Sequence, residues 1–464
     1  MPFDLRTVSP AHNYVVADRR SDTLPSVERA AYKNGADRAG DDSRARLSCF
    51  SAACFALAVV LNVYAATLLA ALGLVLLSLS FGSRSMAAAR FLSRTRLAAA
   101  VVAVALIAAL IPDPLNASSW NLLAAVVPCL VIAFAVAEMT AGWTRRRLIV
   151  AAAAIVAAGL VTGILLIEAV SDVGIDVVQL HRQAAVALAR GENPYGPAVA
   201  VPNGSPGAPA GSTIVGYPYP PVAAVAYASS AWLGDPRWAS LASWVVTAAC
   251  ALVLFREPDF VLPFLLLAAI PGATMMLQTG WTEMLSAALI AVAALTWRRP
   301  IVSGLALGAA LGSKQYFVVA LPLIALYRDA GWQRRTATAL TVAAVSVLAA
   351  FAWSVDDAWR ALVLFHAQTG PRSDSSNLAG VLNLLGVHWT PPLWLGLGIS
   401  WALVAMLGRR AADSAGFWRA MAAALAAFFM LSSQAMPNYW YLVAVVAVFG
   451  SQTDDFTYGS SAGL

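Results

Sequence analysis

Charge is scarce in this sequence. Lysine, arginine, aspartate and glutamate together supply 12% of the 464 residues, about half of what a soluble domain carries, which excludes an ordinary water-soluble globular fold. Cysteine is scarcer still: Cys49, Cys54, Cys129 and Cys250 lie in or beside apolar runs without metal-like spacing. That excludes a disulfide framework or a zinc site, and such cysteines are expected to pack as small hydrophobes. No carboxylate cluster calls for a bound ion, so no metal and no cofactor are expected. The basic residues behind the net charge of +6 are dispersed rather than gathered, and a nucleic-acid partner is excluded because that needs a basic patch.

What is abundant is apolar. Hydrophobic residues make up 60% of the chain and the mean hydropathy is +0.72. At roughly 20 residues per bilayer-spanning helix, the runs leave room for about eleven to thirteen passes. The fold class expected is an all-α polytopic membrane protein, solvated by membrane lipids, in the cytoplasmic (plasma) membrane. Arginines punctuate the runs at 84–96, 145–147, 298–299, 334–335 and 409–410, and such clusters mark cytoplasmic loops. Residues 1–47 are polar and carry no cleavable signal, and they are expected to form a disordered cytoplasmic arm. Residues 48–450 read as one transmembrane domain and 451–464 as a cytoplasmic tail.

Taken in order, 48–81 predicts a helical hairpin turning near Asn62. Runs at 97–111, 120–143 and 148–170 complete five passes, which bring residues 171–221 to the outer face. Of the runs at 222–233, 239–255, 260–277 and 283–297, one must dip without crossing, because Arg298-Arg299 belongs inside. The short first run and the third, broken by Pro263 and Pro271, are the candidates. Residues 301–327 predict two short helices meeting near Lys314, and 336–353 leads to a second outer segment, 354–391. Runs at 393–407, 416–432 and 438–450 close the chain.

Candidate chemistry collects in the polar interruptions. Asp172 and Asp176 stand four apart where the chain leaves the membrane. That spacing shares a helix face, and a partly desolvated carboxylate suits a general base. The following stretch places Val177, Leu180, Ala184 and Leu188 at helical spacing, with His181, Arg182, Gln183 and Arg190 elsewhere, so an amphipathic helix on the outer membrane surface is expected, ending at Gly191. GYPYPP is stiffened by its prolines, and its tyrosines read as interface anchors or as the mouth of a cavity. Lys314 lies within a membrane segment, where an ionisable residue marks function. Its point charge suits a phosphate, and pairing with Glu283 is the alternative. Gln278, Trp281 and Glu283 share the break MLQTGWTEM. His366, Gln368, Arg372, Asp374 and Asn377 crowd the second outer segment beside Phe365 and suit phosphate or sugar hydroxyls.

As an ordered set, Asp176, GENPY (Gly191 to Tyr195), YPP (Tyr219 to Pro221), Gln278, Lys314 and FHAQTG around His366 resemble the membrane glycosyltransferases of the C-type fold, most closely the polyprenyl-phosphate-sugar-dependent family 87. The resemblance covers about residues 165–390. It implies transfer of a sugar, mannose first and arabinofuranose second, from a polyprenyl-phosphate donor to a glycolipid or glycan acceptor on the extracytoplasmic side. It also implies an acid of the first outer loop as base: Asp176, with Asp172 left open. Lys314, Arg372 and His366 would hold the donor phosphate. His181, Arg182, Tyr195, Tyr219, Gln278, Glu283 and Asn377 would line the cavity. The sequence shows no Gly-rich phosphate loop, in keeping with a lipid donor. It departs from the family in having Leu180-His181 where a tyrosine usually follows the acid, and in five passes before the first outer loop where one is commoner. A transporter or flippase of lipid-linked sugars is the rival reading.

Overall fold

A computed structural model of the chain describes residues 44–451 except 60–62, 81–98, 107–120, 142–143, 171–175, 197, 201–212, 255–260, 269, 271–272, 369–374, 390 and 412. Within a bilayer a backbone has only its own helix to bond to, and the apolar runs fold accordingly. Among the described residues, four helices are long and apolar enough to cross a membrane: Ile149–Ala169, Arg237–Leu254, Trp332–Trp353 and Ser414–Leu431. Seven shorter apolar helices accompany them. The structure is that of an all-helical polytopic membrane protein, with one short antiparallel ribbon pairing Ala198–Ala200 to Thr213–Val215.

The N-terminal part holds α1 (residues 44–58), α2 (Val63–Leu79), α3 (residues 99–106), α4 (Asn121–Ala141) and α5 (Arg145–Ala169). The first two pack on one another, the Ser51 hydroxyl donating to the Gly73 oxygen at 2.7 Å; the turn expected near Asn62 lies outside the described residues. Next come α6 (Asp176–Ala189), α7 (Pro221–Ala231), α8 (Arg237–Leu254), α9 (Val261–Ala268), α10 (Ala273–Thr279) and α11 (Glu283–Leu295). Both runs suspected of failing to cross are short: α7 has 11 residues, and the third run divides into α9 and α10 of 8 and 7.

The amphipathic helix α6 forms at the expected place, but its apolar side is not left for lipid. Val177, Val178, Leu180, His181, Ala184, Ala185 and Ala187 are all buried, largely against α7 and the tyrosine loop before it. His181 therefore sits on the buried side of the helix and not on the polar side where the spacing put it.

The chain from 300 to 327 breaks as expected. Helix α12 (Pro300–Leu311) ends, Lys314 is extended at φ −151° and ψ 138°, and a 3-10 turn, Gln315–Ala320, leads into α13 (Leu321–Leu326). The long α14 (Trp332–Trp353) packs along α12. The segment 354–391 contains α15 (Val355–Trp359), a π-helical turn Arg360–Leu364, α16 (Phe365–Gln368) and α17 (Leu378–Leu384). Three helices, α18 (Leu393–Gly408), α19 (Ser414–Leu431) and α20 (Pro437–Phe449), complete the chain. Nearly every residue of α19 and α20 is buried. A helix that is apolar all round belongs inside, and α19 lies between α2, α18 and α20 at the centre of the bundle.

Close approach of α12 to α14 depends on glycine. A Cβ on Gly308 would meet the Ala339 carbonyl oxygen and the Val342 Cβ, each at 2.6 Å. Gly308→Val is therefore expected to lower stability by about 1–3 kcal/mol, the usual range for overpacking. Unfolding of the detergent-solubilised protein checks this, and an unchanged midpoint would show that the two helices can part freely.

Candidate active site

The segment Gly216 to Pro220 is held from several directions. Gly216 has φ +82°, and a side chain there would run into the Tyr195 carbonyl, so the chain can lie flat on the GENPY turn. The Tyr217 N–H donates to the Pro194 oxygen at 3.2 Å, and the Tyr195 hydroxyl donates to the Tyr219 oxygen at 3.4 Å. The Pro218 oxygen accepts from the Gln315 amide at 2.6 Å and from His366 Nε2 at 3.0 Å. One carbonyl thus joins the tyrosine loop, the helix break and the segment 354–391.

His181 sits beneath this loop. Its Nε2 lies 2.9 Å from the Gly280 oxygen. A carbonyl can only accept, so Nε2 carries the proton, and Nδ1 accepts from the Tyr217 hydroxyl at 2.8 Å. The ring stacks on Tyr227 at 3.9 Å. Burial pushes its pKa down to about 3, with the Gly280 hydrogen bond opposing and the Lys314 charge assisting. The imidazole is a neutral bridge between loops.

Lys314 occupies the centre. It is buried, as is Glu283 at the start of α11, and its Nζ lies 2.9 Å from Glu283 Oε1. The same carboxylate oxygen accepts from the Tyr316 hydroxyl at 3.3 Å. The ammonium stands 4.3 Å from the ring centre of Tyr219, 5.7 Å from that of Tyr316 and 5.9 Å from that of Tyr439, an arrangement attractive to a cation. The backbone freed by the break finds partners in neighbouring protein: the Gly312 oxygen accepts from the Val222 N–H at 3.2 Å and from the Ser346 hydroxyl at 3.4 Å. The Ser313 and Ser286 hydroxyls meet at 2.9 Å.

Asp176 opens α6 and is half-buried. Burial holds the Tyr219 phenol well above its ordinary value of 10, and the Asp176 and Glu283 carboxylates push it further the same way. Tyr219 is thus a neutral phenol within the field of both acids while its ring faces the lysine. Polar capacity is left over nearby: Glu283 Oε2, the Thr282 hydroxyl, Asn438 Oδ1 and both amide atoms of Gln278 are buried without a partner among the described residues.

A family model described as Glycosyltransferase family 87 matches residues 217–450, just over half of the 464-residue chain. The chain belongs to glycosyltransferase family 87. No curated protein and no solved structure matches it. As a family 87 member it is a membrane glycosyltransferase acting on sugar donor and acceptor substrates. Tyr219, Gln278, Glu283, Lys314, His366, Arg372 and Asn377 fall inside the matched segment; Asp172, Asp176, His181, Arg182 and Tyr195 precede it.

The structure does not gather every residue singled out from sequence. Asp172 and Arg372 lie outside the described residues. Arg182 is exposed and turns its guanidinium to Asp235 at 3.2 Å, beside the buried Arg237, which holds the same carboxylate at 2.9 Å. Asn377 is consumed structurally: its oxygen caps α17 by accepting from the Gly380 N–H, and its amide donates to the Phe429 and Ser432 oxygens. His366 spends Nε2 on Pro218. Sequence reading missed Tyr227, Gln315, Tyr316 and Tyr439, and took Tyr217 only as one of the tyrosines of GYPYPP. Gln315 and Tyr316 stand beside Lys314 in GSKQY and were within reach, whereas nothing local in PNYWY connects Tyr439 to the lysine.

Two consequences can be measured. His181 binds no proton when folded until pH approaches about 3, whereas an unfolded histidine does so at about 6.5. Between these values the unfolded state takes up the extra proton, so stability is full above pH 6.5 and falls as the pH is lowered, by roughly 1.4 kcal/mol per unit. Unfolding of the solubilised protein between pH 7.5 and 5 should show this slope, and a flat profile would contradict the buried neutral ring. Separately, Glu283→Ala strands a buried ammonium and should cost about 3–5 kcal/mol. The apolar double replacement Glu283→Leu with Lys314→Met should recover most of that loss; no recovery would mean that the pair is not what Glu283→Ala breaks.

Proposed function

We propose that this family 87 enzyme takes a sugar, mannose first, from a polyprenyl-phosphate donor and transfers it to a cell-envelope glycolipid or glycan on the outer side of the plasma membrane. In the step envisaged, Asp176 accepts the proton of an acceptor hydroxyl. The hydroxyl oxygen attacks the anomeric carbon, and the bond from that carbon to the phosphate oxygen breaks. The polyprenyl phosphate leaves with the bonding electrons, and the Lys314 ammonium balances the charge that develops on it.

The observation that carries this reading is the position of Tyr219, whose ring faces Lys314 at 4.3 Å and whose phenol feels Asp176. The cation and the candidate base therefore both act on one side chain. A lysine has three donors, and Lys314 gives one to Glu283, so capacity remains for a phosphate oxygen. Sugar hydroxyls would satisfy Thr282, Asn438 and the free oxygen of Glu283. His366 and Gln315 serve by holding the tyrosine loop in place. Arg372 is assigned to the donor phosphate, and Asp172 as substitute base, on sequence position alone.

Membranes supplied with labelled donor and acceptor provide the test. Asp176→Asn should reduce transfer by at least about 100-fold, the lower range for general-base catalysis, with expression unchanged. Lys314→Met should also abolish transfer. Parental transfer by Asp176→Asn would remove that residue from the chemistry, and movement of lipid-linked sugar without transfer by the parent would favour a flippase.

A further inference from the structure

A second site lies away from the lysine, where α4 and α5 meet. A cavity of about 440 Å³ is lined by Phe134 of α4 and by Thr144, Arg146, Arg147, Val150, Ala151 and Ala154 at the start of α5. Its two ends differ chemically. Arg146 and Arg147 are exposed and have no hydrogen-bond or ion-pair partner among the described residues. No acidic residue occupies the first turn of α5, so nothing in the helix itself neutralises them. Positions 147, 151 and 154, and likewise 146, 150 and 154, follow one another at three- and four-residue spacing and share a helix face. The arginines therefore stand at the mouth of a stripe that turns apolar one helical turn later. Val150 is 62% exposed, and the floor opens onto helix surface suited to hydrocarbon.

We infer that this cavity binds one anionic glycerophospholipid, its phosphate on Arg146 and Arg147 and an acyl chain along Val150, Ala151, Ala154 and Phe134. Charge complementarity selects the occupant: two exposed guanidiniums with no partner among the described residues call for an anion, and an apolar floor contiguous with the bilayer calls for one that carries a chain. Arginine favours phosphate through its planar fork of donors, and basic pockets between transmembrane helices take anionic head groups. None of these residues belongs to the sugar-transfer site, so failure of that reading would leave this one standing.

The test uses the full chain reconstituted in nanodiscs of phosphatidylcholine alone or with phosphatidylglycerol, then extracted for native mass spectrometry and thermal unfolding. The parent should retain one phosphatidylglycerol and melt higher with it than with phosphatidylcholine. Arg146→Gln with Arg147→Gln should weaken retention roughly thirtyfold, two arginines each contributing on the order of fivefold. Because removing arginines could disturb insertion, Ala154→Phe provides a second arm: it keeps both charges, fills the floor, and should also lose the lipid. Undiminished retention in Ala154→Phe, equal stabilisation by phosphatidylcholine, or the same shift with inorganic phosphate alone would each overturn the inference.

Discussion

The ion pair between Lys314 and Glu283 is the constraint to which the rest of this structure answers. Both side chains are buried, and each charge loses several kcal/mol of hydration on leaving water. Geometry must return that energy. Glu283 stands in the first turn of α11, where the helix dipole favours a carboxylate, and it accepts from both Lys314 and Tyr316. Lys314 reaches it only because α12 stops short, and α12 can stop there only because Val222 and Ser346 take up the Gly312 carbonyl. A buried pair is seldom the most stable choice, since apolar residues of similar volume hold helices as well or better. An ammonium at this position is best accounted for by what it does as a charge, and the phosphate proposed for the donor is a partner that would use it.

Around that pair the protein builds rigidity from hydrogen bonds that cross long stretches of sequence. The Pro218 oxygen collects Gln315 and His366, the His181 ring joins Tyr217 to Gly280, and Asn193 donates to Asp357 at 2.9 Å. Each bond links a loop to an element that a membrane helix already positions. Such cross-links hold a reacting geometry within a fraction of an ångström, which loops alone do not do.

Local chemistry was legible in the sequence, and contacts across the chain were not. The break at Lys314 could be read because a lone ammonium between Gly312-Ser313 and Gln315 cannot continue an apolar helix into lipid. Helix α6 could be read from its period, but the spacing of Val177, Leu180, Ala184 and Leu188 defines a narrow stripe, and the structure buries a wider arc. His181 falls in the widened part because the tyrosine loop folds over it, and nothing in residues 176–189 announces that loop. Asn377 looked like a sugar ligand among polar neighbours, yet a helix cap consumes its oxygen and two carbonyls of α19 and its C-terminal end consume its amide. Short runs were equally ambiguous: hydropathy could say that one of two failed to span, whereas proline geometry at Pro221 and the division between α9 and α10 shortened both.

The family match starts at Tyr217 and leaves α6 outside, yet the packing gives α6 little freedom. The His181 ring must meet Gly280 on one side and Tyr217 on the other, and both partners lie in the matched segment. A one-residue slide along α6 would rotate the ring by about 100° away from them, leaving a buried imidazole and a buried carbonyl unpaired at about 1–3 kcal/mol for each group. Gly280 is itself tied back by its N–H to the Leu277 oxygen at 3.3 Å, so the carbonyl cannot readily follow. The register of α6 is therefore fixed from its buried side, and Asp176, a turn and a half before His181, takes its place at the start of the helix from contacts with the part of the chain that the family shares.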